Sequence, residues 1–239
     1  MFKYSGNKQR LLHLLRQPPK GPIIEPFAGS ARYSLNYDLD AILFEKNKDV
    51  YDLWDWLIND ATKKDLLELE KMKQPEKVDI RLLNLPKPQE TLFRLTCASV
   101  YVGQLSSWIS YPQHKVDFSR LISYLPQIKY RFTLGGTDYL QSAGLQGTYF
   151  IDPPYMGTSG NYIDGSNKKE LNSVNLNTFT EYINSVDSPI IFTYGTDAQE
   201  VFPQYQWELV LMRRVPKIRT GGTANRIDYV FYKNFSIHG

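Results

Sequence analysis

Two apolar runs near the N-terminus constrain this chain more than any other feature. The first, 22-PIIEPFAGSARYSL-35, reads as a short buried strand that ends on Glu25, turns through small residues and enters a helix. The second, 41-AILFEKN-47, is a further short strand with Glu45 at its carboxyl end. Apolar runs without polar alternation belong to strands covered on both faces. Strand, turn, helix and strand in succession predict an α/β fold built on a parallel sheet. The same grammar returns at 131-RFTLGGTDYL-140, at 149-YFIDPPY-155 and at 188-SPIIFTYGTD-197. Near the C-terminus, 207-WELVLMRR-214 and 227-IDYVFYKNF-235 predict an antiparallel hairpin whose strands are joined by a basic Gly/Thr loop.

Between the second strand and the return of this grammar the pattern changes. From about Asp49 to Lys73 it is helical and rich in charge, and between Gln74 and Gln89 prolines and charges mark a surface connection. Residues 90–102 predict another helix. The stretch 103-GQLSSWISYPQHKVDFSR-120 is polar and aromatic, suited to a short hairpin or an irregular loop. Residues 46–130 therefore read as an inserted, mainly helical region, and residues 1–45 and 131–239 as the domain that carries it. Ahead of both, 7-NKQRLLHLLR-16 has leucines at helical spacing and predicts a short amphipathic helix ended by Pro18 and Pro19.

Composition narrows the function classes. With 239 residues, 42% hydrophobic, and 17 tyrosines, the chain has enough apolar area for a sizeable core, which argues against disorder. No apolar run approaches the roughly 18–20 residues needed to span a bilayer. The N-terminal stretch has no apolar core or cleavage site of a signal peptide. One cysteine, Cys97, excludes an internal disulfide and fits a reducing compartment, so we expect a cytoplasmic protein. His13, His114 and His238 show no metal-ligand spacing, and no metal is expected. The net charge of +3 says little by itself, but its distribution is uneven. From Leu209 to Ile227 there is no acidic residue, whereas Arg213, Arg214, Lys217, Arg219 and Arg226 all fall there.

Ligands of open parallel sheets bind beyond the carboxyl ends of the strands. Glu25, Glu45, Asp138 and Asp152 stand at or near such ends. Ala28, Gly29 and Ser30 keep the turn after the first strand small enough for a ligand to approach its backbone. The turn is not Gly-x-Gly-x-x-Gly, and no Gly-x-x-x-x-Gly-Lys-Ser/Thr loop is present, so dinucleotides and nucleoside triphosphates are disfavoured. A carboxylate after the second strand suits the two hydroxyls of a ribose. Together these point to a nucleoside-containing cofactor without a pyrophosphate. At 152-DPPY-155, Asp152 and the carbonyl of Pro153 are two acceptors suited to one amino group. Tyr155 offers a ring on which a planar base could stack, worth about 1–3 kcal/mol. Such a set suits methylation of an exocyclic amine, although Asp-Pro-Pro-Tyr also serves as a structural turn.

These residues resemble the Dam-type DNA adenine-N6 methyltransferases. The motifs 4-YSGNK-8, 25-EPFAGS-30, 43-LFEKN-47 and 152-DPPY-155 occur in the family's order, and 137-TDY-139 is a weaker match. The resemblance implies a Rossmann-like methyltransferase sheet, mostly parallel, and S-adenosylmethionine as cofactor. It assigns the cofactor pocket to Tyr4, Lys8, Glu25, Phe27, Ala28, Gly29, Ser30, Glu45, Asp138, Tyr139 and Asp152. Asp152, Pro153, Pro154 and Tyr155 would hold an adenine flipped out of double-stranded DNA. Two departures stand out: Ala31 where the family often has glycine, and Glu45 where it often has aspartate. In 103–120 no arginine precedes Arg120, so the family's target sequence does not carry over. Under this resemblance Arg213, Arg214, Lys217, Arg219 and Arg226 are expected to touch DNA phosphates, with Lys115, Arg120 and Arg131 as further contacts. The enzyme would act alone or beside a restriction endonuclease that the sequence does not identify. The alternatives are a transferase acting on RNA adenine, cytosine N4 or protein glutamine, and a nucleic-acid-binding relative without turnover.

Overall fold

The structure is a computed structural model that describes residues 2, 11–72, 77–97, 108–110, 117–154, 174–216 and 223–235. Strands β1 (Ile23–Glu25) and β2 (Ala41–Phe44) are followed by helices α1 (Lys48–Asn59) and α2 (Lys63–Lys71). Strand β3 (Lys77–Asp79), helix α3 (Lys87–Cys97), strand β4 (Trp108–Ser110) and helix α4 (Ser119–Arg131) come next. Then follow β5 (Phe132–Gly136), β6 (Thr148–Ile151), α5 (Leu176–Ser185), β7 (Ile190–Tyr194) and the short α6 (Ala198–Val201). Strands β8 (Glu208–Pro216) and β9 (Thr223–Lys233) close the order.

Seven strands form one sheet in the order β5-β2-β1-β6-β7-β9-β8. The first five are mutually parallel, and β9 runs antiparallel to both β7 and β8. The chain builds outward from β1 through β2 to β5, then returns to the other side of β1 for β6 and β7. The sheet therefore has its switch point between β1 and β6, where a crevice opens at the carboxyl edge. The fold is α/β with a mostly parallel sheet, as the apolar runs predicted.

Strand alternation sends the side chains to two covered faces. Ile24, Phe44, Tyr149, Ile151, Ile190 and Phe192 pack with Phe179, Tyr182 and Ile183 of α5. On the other face Ala41, Leu43 and Phe132 meet Val50, Leu53, Trp54 and Leu57 of α1, together with Leu121, Leu125 and Ile128 of α4. Ile23, Phe150 and Ile191 continue that face beneath Tyr33, whose ring stacks on Phe150 at 4.3 Å. Helices α1 and α4, within the stretch 46–130, thus share one core with the sheet. Strands β3 and β4 form a separate antiparallel pair, Lys77 opposite Ser110 and Asp79 opposite Trp108.

Local chemistry explains the helix ends. Asn47 caps α1 by accepting from the Asp49 amide, and Thr62 with Asp65 forms a reciprocal capping box on α2. Asn175 accepts from the amides of Asn177 and Thr178 at the start of α5. At the far end of α5, the Lys233 ammonium donates to the carbonyls of Ile183, Asn184 and Val186. That ties the helix to β9 and satisfies carbonyls that have no partner within the helix.

Four expectations change. The predicted helix after β1 is only a 3₁₀ turn at Ser34–Asn36, because Ala31 takes φ 43° and the Glu25 side chain captures the Ser34 amide. Of the predicted helix at 7–16 the described part is a 3₁₀ turn, Leu12–Leu14. Ser119 and Arg120, read as the end of a hairpin or irregular loop, open helix α4 instead. Its buried Leu121, Leu125 and Ile128 have helical spacing despite the internal Pro126. The last two strands run further than expected: β8 reaches Pro216 and β9 starts at Thr223, with Arg213 opposite Arg226 and Val215 opposite Ala224. Pairing of neighbouring backbone extends the hairpin through side chains that carry no apolar signal. Among the described residues no helix is long and apolar enough to cross a membrane, and no three His, Cys, Asp or Glu side chains form a metal cluster.

Candidate active site

The turn after β1 is built from its backbone outward. Gly29 takes φ 49°, a left-handed conformation that a residue without a Cβ adopts without strain. Its amide donates to Glu45 Oε2 at 2.8 Å, and its carbonyl accepts from the indole Nε1 of Trp54 at 2.9 Å. The other oxygen of Glu45 accepts from the Asn47 amide at 2.8 Å. The Ala28 amide donates to the Phe44 carbonyl, and that of Ala31 to the Ala28 carbonyl. The small-residue turn is therefore clamped between the end of β2 and the first helix. A carboxylate has about four lone-pair sites. The two backbone bonds to Glu45 leave acceptor capacity for ribose hydroxyls.

Glu45 is 7% exposed, and burial pushes its carboxyl up to about 7 against the two amide bonds that favour the ionised form. Glu25 is deeper, 2% exposed, and its Oε1 accepts from both the amide and the hydroxyl of Ser34 at 2.8 and 2.6 Å. Burial pushes the Glu25 carboxyl up to about 8, with the neighbouring Asp152 charge adding to the rise. Burial thus favours the protonated form of Glu25. Glu25 acts as a brace for the segment after the turn.

The loop after β5 reaches across the end of β2. The Glu45 amide donates to the Gly136 carbonyl at 3.1 Å, and a Cβ at Gly135 would come within 2.2 Å of the Phe44 ring. Asp138 is exposed and caps the next turn, accepting from the Leu140 amide at 3.0 Å. Tyr139 stacks on Phe27, centroids 5.1 Å apart and planes 26° apart. The two rings make a flat wall beside the turn. Phe27, Ala28, Gly29, Ser30, Glu45 and Tyr139 are thus brought together at the carboxyl edge, with Asp138 on its exposed rim.

β6 ends beside β1 with Asp152, which is partly buried. The hydroxyl of Thr193 on β7 donates to Asp152 Oδ1 at 3.1 Å. Pro153 is buried and Pro154 partly so. Asp152 and the Pro153 that follows it therefore stand at the carboxyl end of β6, the strand beside β1. Tyr4, Lys8 and Tyr155, expected in the site, lie outside the described residues.

The expected DNA contacts divide. Lys115, Lys217 and Arg219 lie outside the described residues, while Arg213, Arg214 and Arg226 belong to the β8–β9 ladder. Helix α4 runs alongside the connection from β1 to β2: Arg120 lines a cavity with Arg32 and Asn36, and Gln127 donates to the Tyr37 carbonyl. Arg131, at its end, pairs with Asp38 at 2.8 Å and Asp40 at 3.6 Å. Preceding β5, Arg131 stands at the amino edge of the sheet. Three residues that sequence reasoning passed over, Trp54, Thr193 and Arg32, belong to this edge. Thr193 left a faint signal, a hydroxyl within an otherwise apolar strand. Trp54 left none, because its indole finds its partner only when α1 packs over the turn. Compared with models of known protein families and with curated proteins, the chain matches none.

Proposed function

We propose that the chain is an S-adenosylmethionine-dependent methyltransferase acting on the N6 amine of adenine in double-stranded DNA. The observation that carries this reading is the pairing of two strand ends at the switch point. Asp152 and the Pro153 carbonyl end β6, beside a turn whose backbone is held by Glu45 and Trp54. A mostly parallel sheet with an antiparallel C-terminal hairpin supports the same reading.

The donor set fits the cofactor. Glu45 would accept from the ribose hydroxyls, the backbone of Ala28 to Ser30 would lie against the amino-acid portion, and the Phe27–Tyr139 wall would flank the adenine. When bound, the cofactor supplies an electrophilic methyl group on a sulfonium. Asp152 and the Pro153 carbonyl would accept from the two hydrogens of the target amine, favouring a tetrahedral nitrogen with its lone pair available. Thr193 would hold the Asp152 carboxylate in that orientation. Rate would come from alignment and exclusion of water more than from acid or base strength. The part of residues 46–130 that stands off the common core, the β3–β4 pair, would read the target sequence. The enzyme would serve as a modification methyltransferase, alone or with a nuclease.

The test is transfer of radiolabelled methyl groups to adenine-containing duplexes, followed by digestion to nucleosides. Label is expected in N6-methyl-2′-deoxyadenosine, with incorporation reduced at least about 100-fold in Asp152→Ala. Label in a cytosine, in RNA alone or in protein moves the activity to another amine. Equal background from wild type and variant on every substrate overturns the reading.

A further inference from the structure

A cavity of about 250 Å³ opens between the segment after β1, the first turns of α4 and the N-terminal 3₁₀ turn. Leu12 and Leu35 form its apolar part. Its polar lining is Arg32, Arg120 and His13, with Asn36 and Tyr124. Among the described residues that line it, none is acidic. Asp117, the nearest acid in sequence to Arg120, accepts from the Ser119 amide at the start of α4. Two guanidinium groups from separate elements thus face one small concavity.

We propose that this cavity is a phosphate-binding subsite that takes a backbone phosphodiester of the DNA strand, and this rests on the reading of DNA as substrate. Burial, followed by the charge of Arg120, lowers the Arg32 pKa. Guanidinium forks match phosphate oxygens in a bidentate way, and the amide of Asn36 and the phenol of Tyr124 add neutral donors. Arg32 comes just after the small-residue turn, so a phosphate held there would lie beside the strand ends. Such a contact fixes the duplex near Asp152 without reading sequence.

The experiment measures binding of labelled duplexes by fluorescence anisotropy over a salt series, for wild type, Arg32→Gln, Arg120→Gln and the double variant. Cofactor binding and thermal melting establish that each variant is folded. Arg32→Lys tests the fork, since it keeps the charge. Each glutamine variant is expected to lose about tenfold in affinity, alike across unrelated sequences. The slope of log affinity against log salt should fall by about 1 in the double variant, because both arginines serve one phosphate. Unchanged affinity and slope in folded variants overturn the proposal, as does a loss confined to one sequence. If wild type binds no duplex, the DNA reading fails and inorganic phosphate decides the cavity. A melting rise with phosphate over chloride at equal ionic strength, lost in the double variant, then upholds the subsite for free phosphate. Equal response in both proteins removes the subsite as well.

Discussion

Two neighbouring ends of the same sheet are finished in opposite ways. At the ends of β1 and β2 the turn is enclosed: Glu45 holds the amides of Gly29 and Asn47, Trp54 holds the Gly29 carbonyl, and Glu25 holds Ser34. At the end of β6, Asp152 is only partly buried, and a hydroxyl from the next strand steadies it. The first end suits a molecule that must always be bound in one pose. The second suits a group that enters from solvent. Preorganised backbone lowers the cost of binding, and under the proposed reading Asp152 would meet the target amine.

The sharpest way to break this contrast is Asp152→Asn. Its kcat should fall by about 10²–10⁴-fold, while the cofactor Kd by calorimetry changes less than about tenfold. A parallel collapse of cofactor affinity would make the two ends one functional unit. Trp54→Phe attacks the enclosed end, leaving the buried Gly29 carbonyl without its donor. We expect a loss of about 1–3 kcal/mol in stability, with weaker cofactor binding. An unchanged Tm would show that the clamp contributes nothing.

Smaller effects refine the comparison. Thr193→Val should lower kcat by up to about tenfold with KM and Tm nearly unchanged, because it removes one neutral hydrogen bond from a positioned carboxylate. A rise in KM alone would reassign Thr193 to substrate binding. The mildest probe is pH. Glu25 is raised from 4.5 to about 8 and Glu45 to about 7, so the folded state keeps protons that the unfolded state releases. Their stabilising contribution is present in full below about pH 4.5 and declines until the folded carboxyls have ionised near pH 8. Chemical denaturation between pH 5 and 9 should show that decline, and Glu25→Gln should make it shallower. An identical slope in the variant would remove Glu25 as its source.

Much of the edge was legible because the signals are local. Glu25, Glu45 and Asp152 follow directly on apolar runs, so a strand end and its acid are read together. Gly29 stands where the turn needs a left-handed residue. The misreadings share a cause. Ser119 and Arg120 looked like the end of a polar loop, yet the buried Leu121, Leu125 and Ile128 carry a helix through that point and past Pro126. Asn225 and Arg226 looked like loop residues because a paired ribbon needs no apolar side chain at those positions.

The sequence by itself determined the α/β class, the approximate positions of the main-sheet strands and the row of acids along one edge. Those depend on periodicity and on residues adjacent in the chain. Only the tertiary structure decided what each acid does there. Glu25 braces Ser34, Glu45 holds a turn, and Asp152 accepts from Thr193 of the next strand. It also brought Trp54 to Gly29, Thr193 to Asp152 and Arg120 to Arg32, while carrying Arg131 to the opposite edge. Each of these pairs joins residues far apart in the chain. Their meeting follows from how helices pack on the sheet, which local pattern does not encode.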